Sequence, residues 1–423
     1  MPAPLLAARR PAFGPVAPRL IMRRYEIAVA GCGPAGLSAA LMLARDGHRV
    51  TLFERFDVPR PIGSGLMIQP TGLAVLRTMG LAEPVLAAGA RIERLIGEAR
   101  PSGRTVLDVR YSALGPKAGA GLGIHRAALF SILHEAVLAG AIPIETGRTI
   151  VAAEPGSDGR RRLRFADGTG AGPFDLVVDA LGSNTPLAPK TGAALAYGAL
   201  WASLDWPDGA GFDPAALAQR YVRASVMVGV LPIGRPPGAE GAQAAFFWSI
   251  RLDRLEAWRR AGLEAWKAEV LTLWPETGAL LDQIAGPDQL TPARYHHRTV
   301  AAPAQPGLIH LGDAWHSASP QLGQGANMAL MDAFALAKGL RETDAVADGL
   351  ERAVSARRRH VRLYQAMTAL FTPVYQSDSR VLPLLRDRVV GPASRLWPAT
   401  VIQAAMVSGL VGSPLKPLGL DPG

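Results

Sequence analysis

The sequence predicts an α/β protein: a Rossmann-like nucleotide-binding domain interleaved with a second β-sheet domain and followed by C-terminal helices. Three observations carry this reading. A short apolar run enters a glycine turn near Gly31 and leaves it as an Ala/Leu-rich helix. A second glycine-bearing loop stands near Gly312, more than half the chain away, again between a strand-like and a helix-like run. Between them, from Gly182, the pattern changes to longer apolar strands with period-two alternation, broken by the prolines at Pro232 to Pro237.

The first element is Ile27-Ala28-Val29-Ala30, an apolar run suited to a parallel strand buried on both faces. It enters Gly31-Cys32-Gly33-Pro34-Ala35-Gly36, and Leu37 to Asp46 reads as the helix that follows. Arg49 to Phe53 is a second strand, ending on Glu54 and then Arg55. This is a dinucleotide fingerprint in its full context. Gly31 permits the tight turn, Gly33 lets backbone approach a pyrophosphate, and Gly36 lets helix and strand pack closely. Glu54 stands about 20 residues on, where a carboxylate accepts the ribose hydroxyls and disfavours a 2′-phosphate. Pro34, Ala35 and Arg55 are counted with this site. FAD or NAD is therefore expected rather than NADP.

The second loop decides between them. Leu308 to Leu311 runs into Gly312-Asp313, and Pro320, Gly323, Gly325, Ala326 and Asn327 precede the helix that starts with Met328. Glycines allow close backbone approach to a bulky polar ligand. A helix N-terminus offers unpaired N–H groups to an anion or an electron-rich ring. A nicotinamide dehydrogenase has no need of this distant loop, whereas a flavin extends far beyond the fingerprint. FAD is the expected cofactor.

With these motifs in hand, the chain resembles the single-component (class A) FAD-dependent monooxygenases, the group of aromatic-ring and ubiquinone-pathway hydroxylases. The resemblance runs from about Tyr25 to Leu340. It includes Gly63-Ser64-Gly65-Leu66 and the helix start His125-Arg126-Ala127-Ala128-Leu129. It implies an FAD-binding domain of the glutathione-reductase type. Asp313 would bind a ribityl hydroxyl, Arg126 would lie near the phosphate and ribityl region, and Pro320 to Asn327 would line the flavin ring. It also implies that NAD(P)H reduces FAD and that O2 adds to give a flavin hydroperoxide. That species hydroxylates or epoxidises an apolar aromatic, quinoid or isoprenoid molecule.

One segment departs from the family pattern G-A-D-G-x-x-S-x-V-R. Here the strand Phe174 to Val178 continues Asp179-Ala180-Leu181-Gly182-Ser183-Asn184, with Leu181 in the acid's place and no arginine following. Two alternatives stay open: an FAD-dependent reductase of isoprenoid double bonds, and a non-catalytic lipid-carrying protein on the same fold. In the monooxygenase reading the substrate cavity lies between the second sheet and the flavin, with Met227, Phe247, Trp248 and Pro320 as candidate walls. Plain core packing is the competing reading for Met227 and Phe247. His316, in the second loop, is the candidate acid or base, with a structural histidine as the alternative. No metal site is expected: His296-His297 is followed by no further ligand at metal spacing.

Composition agrees with a globular enzyme. The chain has 423 residues, 49% of them apolar, which suffices for two domains and a sizeable core. Its single cysteine, Cys32, excludes a disulfide framework. The net charge of +10 does not point to nucleic acid, because residues 1–24 hold five arginines and no acid. That proline-rich segment reads as a disordered or mis-called N-terminal extension, with Met22 a plausible start. The run Arg357-Arg358-Arg359 reads as a solvated helix face. The expected organisation is 25–184 with 303–345 for the FAD-binding domain, 185–302 for the substrate domain and 346–423 for a C-terminal helical segment. Arg254 to Leu273 reads as one helix. With no membrane-spanning run, a cytoplasmic protein is expected. Ala399 to Val411 comes nearest to a span but is short and interrupted by Gln403 and Ser408, and the apolar tail leaves peripheral membrane contact open.

Overall fold

The computed structural model describes residues 23–60, 63–115 and 119–422. The expectations for a start at Met22 and for residues 1–22 lie outside them. At the centre is a six-stranded sheet in the order Ala304–Gln305, Leu308–His310, Leu176–Asp179, Glu26–Ala30, Arg49–Phe53, Ile144–Glu145. All neighbours run parallel except the terminal hairpin of Ala304–Gln305 with Leu308–His310. Parallel strands are covered on both faces, and this explains their unbroken apolar runs. Helices Pro34–Arg45, Arg126–Ala139 and Gly325–Arg341 pack on one face, against Ile27, Val29, Leu52 and Val178. The antiparallel meander Ile150–Pro155, Arg161–Phe165 and Gly170–Phe174 closes the other over Ala28, Ala30, Phe53, Val177 and Leu308.

The second sheet has seven strands, in the order Thr291–Ala293, Tyr197–Asp205, Gln243–Arg251, Val226–Pro232, Ala216–Val222, Arg94–Ala99, Arg104–Arg110. Two of these strands, Arg94–Ala99 and Arg104–Arg110, come from within the 25–184 stretch that the sequence reading gave to the nucleotide domain. Arg104–Arg110 escaped notice because it is an edge strand with three charged residues, and edges are often charged. Arg94 and Asp108 pair across the two at 2.7 Å.

Alternation divides the central strands of this sheet into two apolar faces. Leu200, Val228, Phe246 and Trp248 meet Trp266 and Trp274 of the helical layer behind. Met227, Leu231 and Phe247 form the opposite face with Met67, Tyr221 and Val407, and Trp201 packs against them. The expected single helix from Arg254 to Leu273 is instead two, Leu255–Ala261 and Leu263–Leu273. Gly262 separates them at φ +88°, a backbone conformation that ends a helix.

Helix Val346–Tyr375 then crosses the molecule, and the tail adds the helices Val381–Leu385 and Ala399–Val407. Among the described residues no helix is long and apolar enough to cross a membrane.

Candidate functional site

The fingerprint glycines divide their work as the spacing demands. Gly31 adopts φ +99°, and a methyl group there would sit 2.8 Å from the Ala180 carbonyl oxygen. A methyl on Gly36 would sit 1.9 Å from the Gly31 carbonyl oxygen, so only glycine lets this helix pack on its turn. Gly33 differs: nothing in the protein lies within 4 Å of where its Cβ would be. Pro34 opens the helix, where its missing N–H costs nothing. The Glu54 carboxylate spans the turn, accepting the Cys32 N–H at 2.9 Å and the Phe56 N–H at 3.2 Å. Exposed Arg55 lies over the Phe56 ring at 4.7 Å. Cys32 is buried, and burial followed by the Glu54 charge pushes its thiol up to about 12, far from reactivity.

The two motifs meet at Gly312. A methyl on Gly312 would lie 3.1 Å from Ala329 Cβ and 3.4 Å from Ala35 Cβ, so the N-terminal turns of two helices converge there. Beside it Asp313 keeps an exposed surface yet is densely surrounded. Desolvation raises its pKa, against the opposing pull of His316 and Arg126. Arg126 is exposed and lies against Gly63, where a methyl would be 2.9 Å from its Cδ. Arg126 is near enough to Asp313 for its charge to bear on that carboxyl. Pro320 is exposed on the same loop, and Gly323 turns it in the left-handed conformation at φ +61°. Gly325 and Ala326 begin the following helix. Asn327 is fully buried. Its amide accepts the Gln69 N–H at 2.7 Å and donates to the carbonyls of Met67 at 3.1 Å and Gly323 at 3.0 Å. Its side chain therefore stitches the loop to strand Gly65–Ile68. Gln69 in turn accepts from the Tyr111 hydroxyl at 2.6 Å.

His316 is buried and tied to the helix that follows the loop. Its Nε2 lies 2.6 Å from Asp332 Oδ2, which also accepts the Gly312 N–H at 3.0 Å. Arg357 donates to the other Asp332 oxygen at 2.8 Å. Arg357 also lies 3.1 Å from His360 Nδ1, and His360 Nε2 is 3.2 Å from the Gly409 carbonyl. The reading of Arg357 as solvated is overturned: it is 0% exposed, while its neighbours Arg358 and Arg359 face solvent. Desolvation alone would raise the Asp332 pKa, but His316 and Arg357 outweigh it and hold the carboxylate ionised. The signal was present in the sequence as an acid amid the apolar helix Met328 to Ala333. Asp179 forms a second buried network, 2.7 Å from His310 Nδ1 and accepting the Thr185 hydroxyl at 2.7 Å and the Leu181 N–H at 3.0 Å. These bonds pin the loop that departs from the family pattern.

Of the candidate walls, Met227 and Phe247 share the face of the second sheet that looks away from the helical layer. Phe247 fits over Gly229, where a methyl would be 2.1 Å from its ring, and lies 4.7 Å from the Trp201 ring. Trp201 donates to the Tyr295 hydroxyl at 3.0 Å, and Tyr295 is close enough to Arg126 to feel its charge. Trp248 is a correction. As the next residue after Phe247 it points to the opposite face and packs edge-on against Trp266 at 6.2 Å. The surface hollow lined by Asp205, Trp206, Asp208 and Ala239 to Gln243 contains none of the motif residues.

A parallel sheet with helices on one face and an antiparallel meander on the other, with this fingerprint and a second loop meeting it at Gly312, defines a dinucleotide-binding fold. The chain belongs to the FAD binding domain family, matched over residues 24–168 and 232–367, and is an FAD-dependent monooxygenase by kinship. It is 32% identical over 346 residues to 3-amino-4-hydroxybenzoate 2-monooxygenase of Streptomyces cremeus, covering 75% of this chain and 79% of that one. It is 25% identical over 414 residues to an FAD-dependent urate hydroxylase of Mycolicibacterium vanbaalenii, covering 93% and 98%. In structure it is similar to 2-methyl-3-hydroxypyridine-5-carboxylic acid oxygenase, with TM-score 0.74 and 20% identity over 93% of this chain and 98% of that one. Klebsiella pneumoniae HpxO complexed with FAD and uric acid gives TM-score 0.74 at 19% identity, covering 92% and 98%.

The network has a pH signature. Burial, reinforced by the Arg357 charge, lowers the His360 pKa to about 2. An unfolded histidine titrates near ~6.5. Below that value the unfolded chain takes up a proton that the folded chain refuses, so stability is full above it and falls as pH drops through it. His360→Gln, which keeps one donor and one acceptor, should remove up to about 1.4 kcal/mol per pH unit of this acid slope. Melting temperatures of both proteins between pH 5 and 8 read the difference, which cancels parallel contributions from His48, His125 and His297, also lowered by burial. Identical slopes would refute the assignment.

Proposed function

We propose that this monooxygenase uses NAD(P)H and O2 to hydroxylate or epoxidise an apolar aromatic or quinoid small molecule. The observation that supports the reading is the meeting of the two glycine motifs at Gly312, with Arg126 near enough to Asp313 for its charge to bear on it. Arg126 leads through Tyr295 to the apolar wall of Trp201 and Phe247. Bound FAD supplies the redox chemistry: two electrons from NAD(P)H and O2 yield one oxygen atom in the product and one in water. The protein's own residues bind and orient. The open side of Gly33 admits the pyrophosphate to the helix N-terminus, and Glu54 takes the ribose hydroxyls. Arg126 neutralises phosphate charge and Asp313 accepts a ribityl hydroxyl. Gly312, Pro320, Gly323, Gly325 and Ala326 bring backbone against the ring, with Asn327 fixing their path. Met227, Phe247, Trp201 and Pro320 exclude water from the reacting centre. His316 takes no proton in this scheme.

The relatives named above act on hydroxylated or nitrogen-bearing rings, which supports an aromatic substrate over an isoprenoid one. Photoreduced enzyme mixed with isotopically labelled O2 and a panel of phenols and quinols should place one labelled oxygen atom in a product. Reoxidation without oxygenated product from any phenol, quinol or prenyl lipid would turn the reading to a reductase. Asp313→Ala removes a bond to a charged acceptor, about 1.5–3 kcal/mol, and should weaken FAD binding roughly 10–100-fold. Unchanged flavin titration would remove Asp313 from the site.

Peripheral contact with an anionic lipid surface is proposed for the tail. Leu384, Leu385, Val389, Val390, Leu396 and Trp397 are exposed there, Trp397 at 82%, with exposed Arg380, Arg388 and Arg395 among them. Apolar groups interleaved with cations suit such a surface. Wild-type enzyme should sediment with phosphatidylglycerol vesicles at low salt, and Leu396→Ser/Trp397→Ser should lose most of that binding. Absence of wild-type enzyme from the pellet would refute the proposal.

A further inference from the structure

Most of the large apolar side chains that the described residues expose fall between Leu370 and Ile402. From Ser379 to Ala399 the one acid is Asp387, and Arg386 holds it at 2.7 Å. The outer side of this tail is therefore apolar, with Arg380, Arg388 and Arg395 as its exposed charges.

The inner side is fastened to the second sheet. Arg386 is buried, its guanidinium 4.9 Å from the Tyr221 ring and 5.4 Å from the Tyr375 ring. Tyr221 belongs to the sheet face of Met227 and Phe247. Arg395 donates to the Thr105 carbonyl at 2.7 Å, on the edge strand. Gln403 donates to the Ser394 carbonyl at 2.7 Å, which ties the turn bearing Leu396 and Trp397 to helix Ala399–Val407. Ala404 and Val407 of that helix pack into the Met227 and Phe247 face.

The same helix ends on the ligand loop. Gln324, buried between Gly323 and Gly325, donates through Nε2 to the Val407 carbonyl at 2.6 Å. Gly409 follows at φ +81°, where a methyl would be 2.8 Å from Gln324 Oε1 and 2.6 Å from Thr71 Oγ1. The Gly409 carbonyl is also where the chain from Gly312 through Asp332, Arg357 and His360 ends. Both halves of the flavin loop thus rest on the stretch from Val407 to Gly409.

We propose that the tail is a surface-sensing cover of the flavin site: an anionic lipid surface and FAD favour the same seated arrangement of helix Ala399–Val407, and each tightens the binding of the other. This rests on the lipid-contact reading above. In water the seated tail leaves Leu396 and Trp397 exposed, at a cost in free energy that a lipid surface removes. FAD orders the loop that carries Gln324, and so fixes the group on which Val407 seats. Two ligands that stabilise one arrangement support each other by an equal factor.

The test measures phosphatidylglycerol vesicle binding at low salt by holoenzyme and by enzyme stripped of FAD, and flavin titration with and without vesicles. Holoenzyme should bind vesicles at least about fivefold more tightly, and vesicles should raise FAD affinity by the same factor. Gln324→Met, of similar length but without the donor, should bind vesicles as wild type does and lose most of that factor. Should the variant fail to load flavin, the wild-type comparison decides alone. Equal vesicle binding by both wild-type forms with an unchanged flavin titration overturns the coupling and leaves the lipid contact standing. Retention of the full factor by Gln324→Met also overturns the coupling through the tail. Absence of wild-type enzyme from the vesicle pellet in either form overturns both.

Discussion

The carboxylate of Asp332 is the constraint on which the site depends. One oxygen holds the Gly312 N–H and the His316 ring, and the other holds Arg357 from the long C-terminal helix. A buried carboxylate with one cation removed is strongly destabilising, because the remaining charge has no water to fall back on. Asp332 and Arg357 are thus mutually required. Their pairing ties the turn that carries Asp313 to a helix whose far end reaches Gln376. The ligand loop is long and glycine-rich, and would be loose without such an anchor. Asn327 supplies the second anchor from the other side, through Met67 and Gln69.

Much of the nucleotide domain was legible in the sequence, because its signals are local. A parallel strand buried on both faces reads as an apolar run, and a glycine turn followed by a helix has fixed spacing. The roles of Gly31 in the turn and Gly36 in helix packing follow from that spacing and reappear in the clearances around each residue. What was not legible depends on partners far along the chain. Arg357 sits in a run of three arginines that looks solvated, and only the approach of Asp332 twenty-five residues earlier distinguishes it. The edge strand Arg104–Arg110 is short and carries three charged residues, and it takes its place because Arg94–Ala99 offers it a ladder.

Trp248 teaches a narrower lesson. Phe246, Phe247 and Trp248 form one aromatic run, and each is as apolar as a cavity wall requires. In a strand, adjacent side chains face opposite ways. Phe247 therefore stands with Met227 and Trp201, whereas Phe246 and Trp248 serve the helical layer with Trp266. Parity sorts such residues at once, but only when it is known which face carries the helices. Gly229 was the available cue: a glycine opposite Phe247 leaves room on one face for a ring that could not lie flat over a larger residue.

The interleaving of the two sheets governs how this chain can come into being. The nucleotide sheet takes strands from Glu26 to Phe53 and again from Leu308 to His310, while the second sheet joins Arg94–Ala99 to Ala216–Val222 in parallel register. Neither sheet can be assembled from a contiguous stretch of nascent polypeptide. Pairings so distant in sequence slow folding, since long loops must close before any contact rewards them. During synthesis the early strands must wait, with edges open, until most of the chain has left the ribosome. The architecture that brings two distant loops together at Gly312 thus also binds early and late segments of the chain into one folding problem.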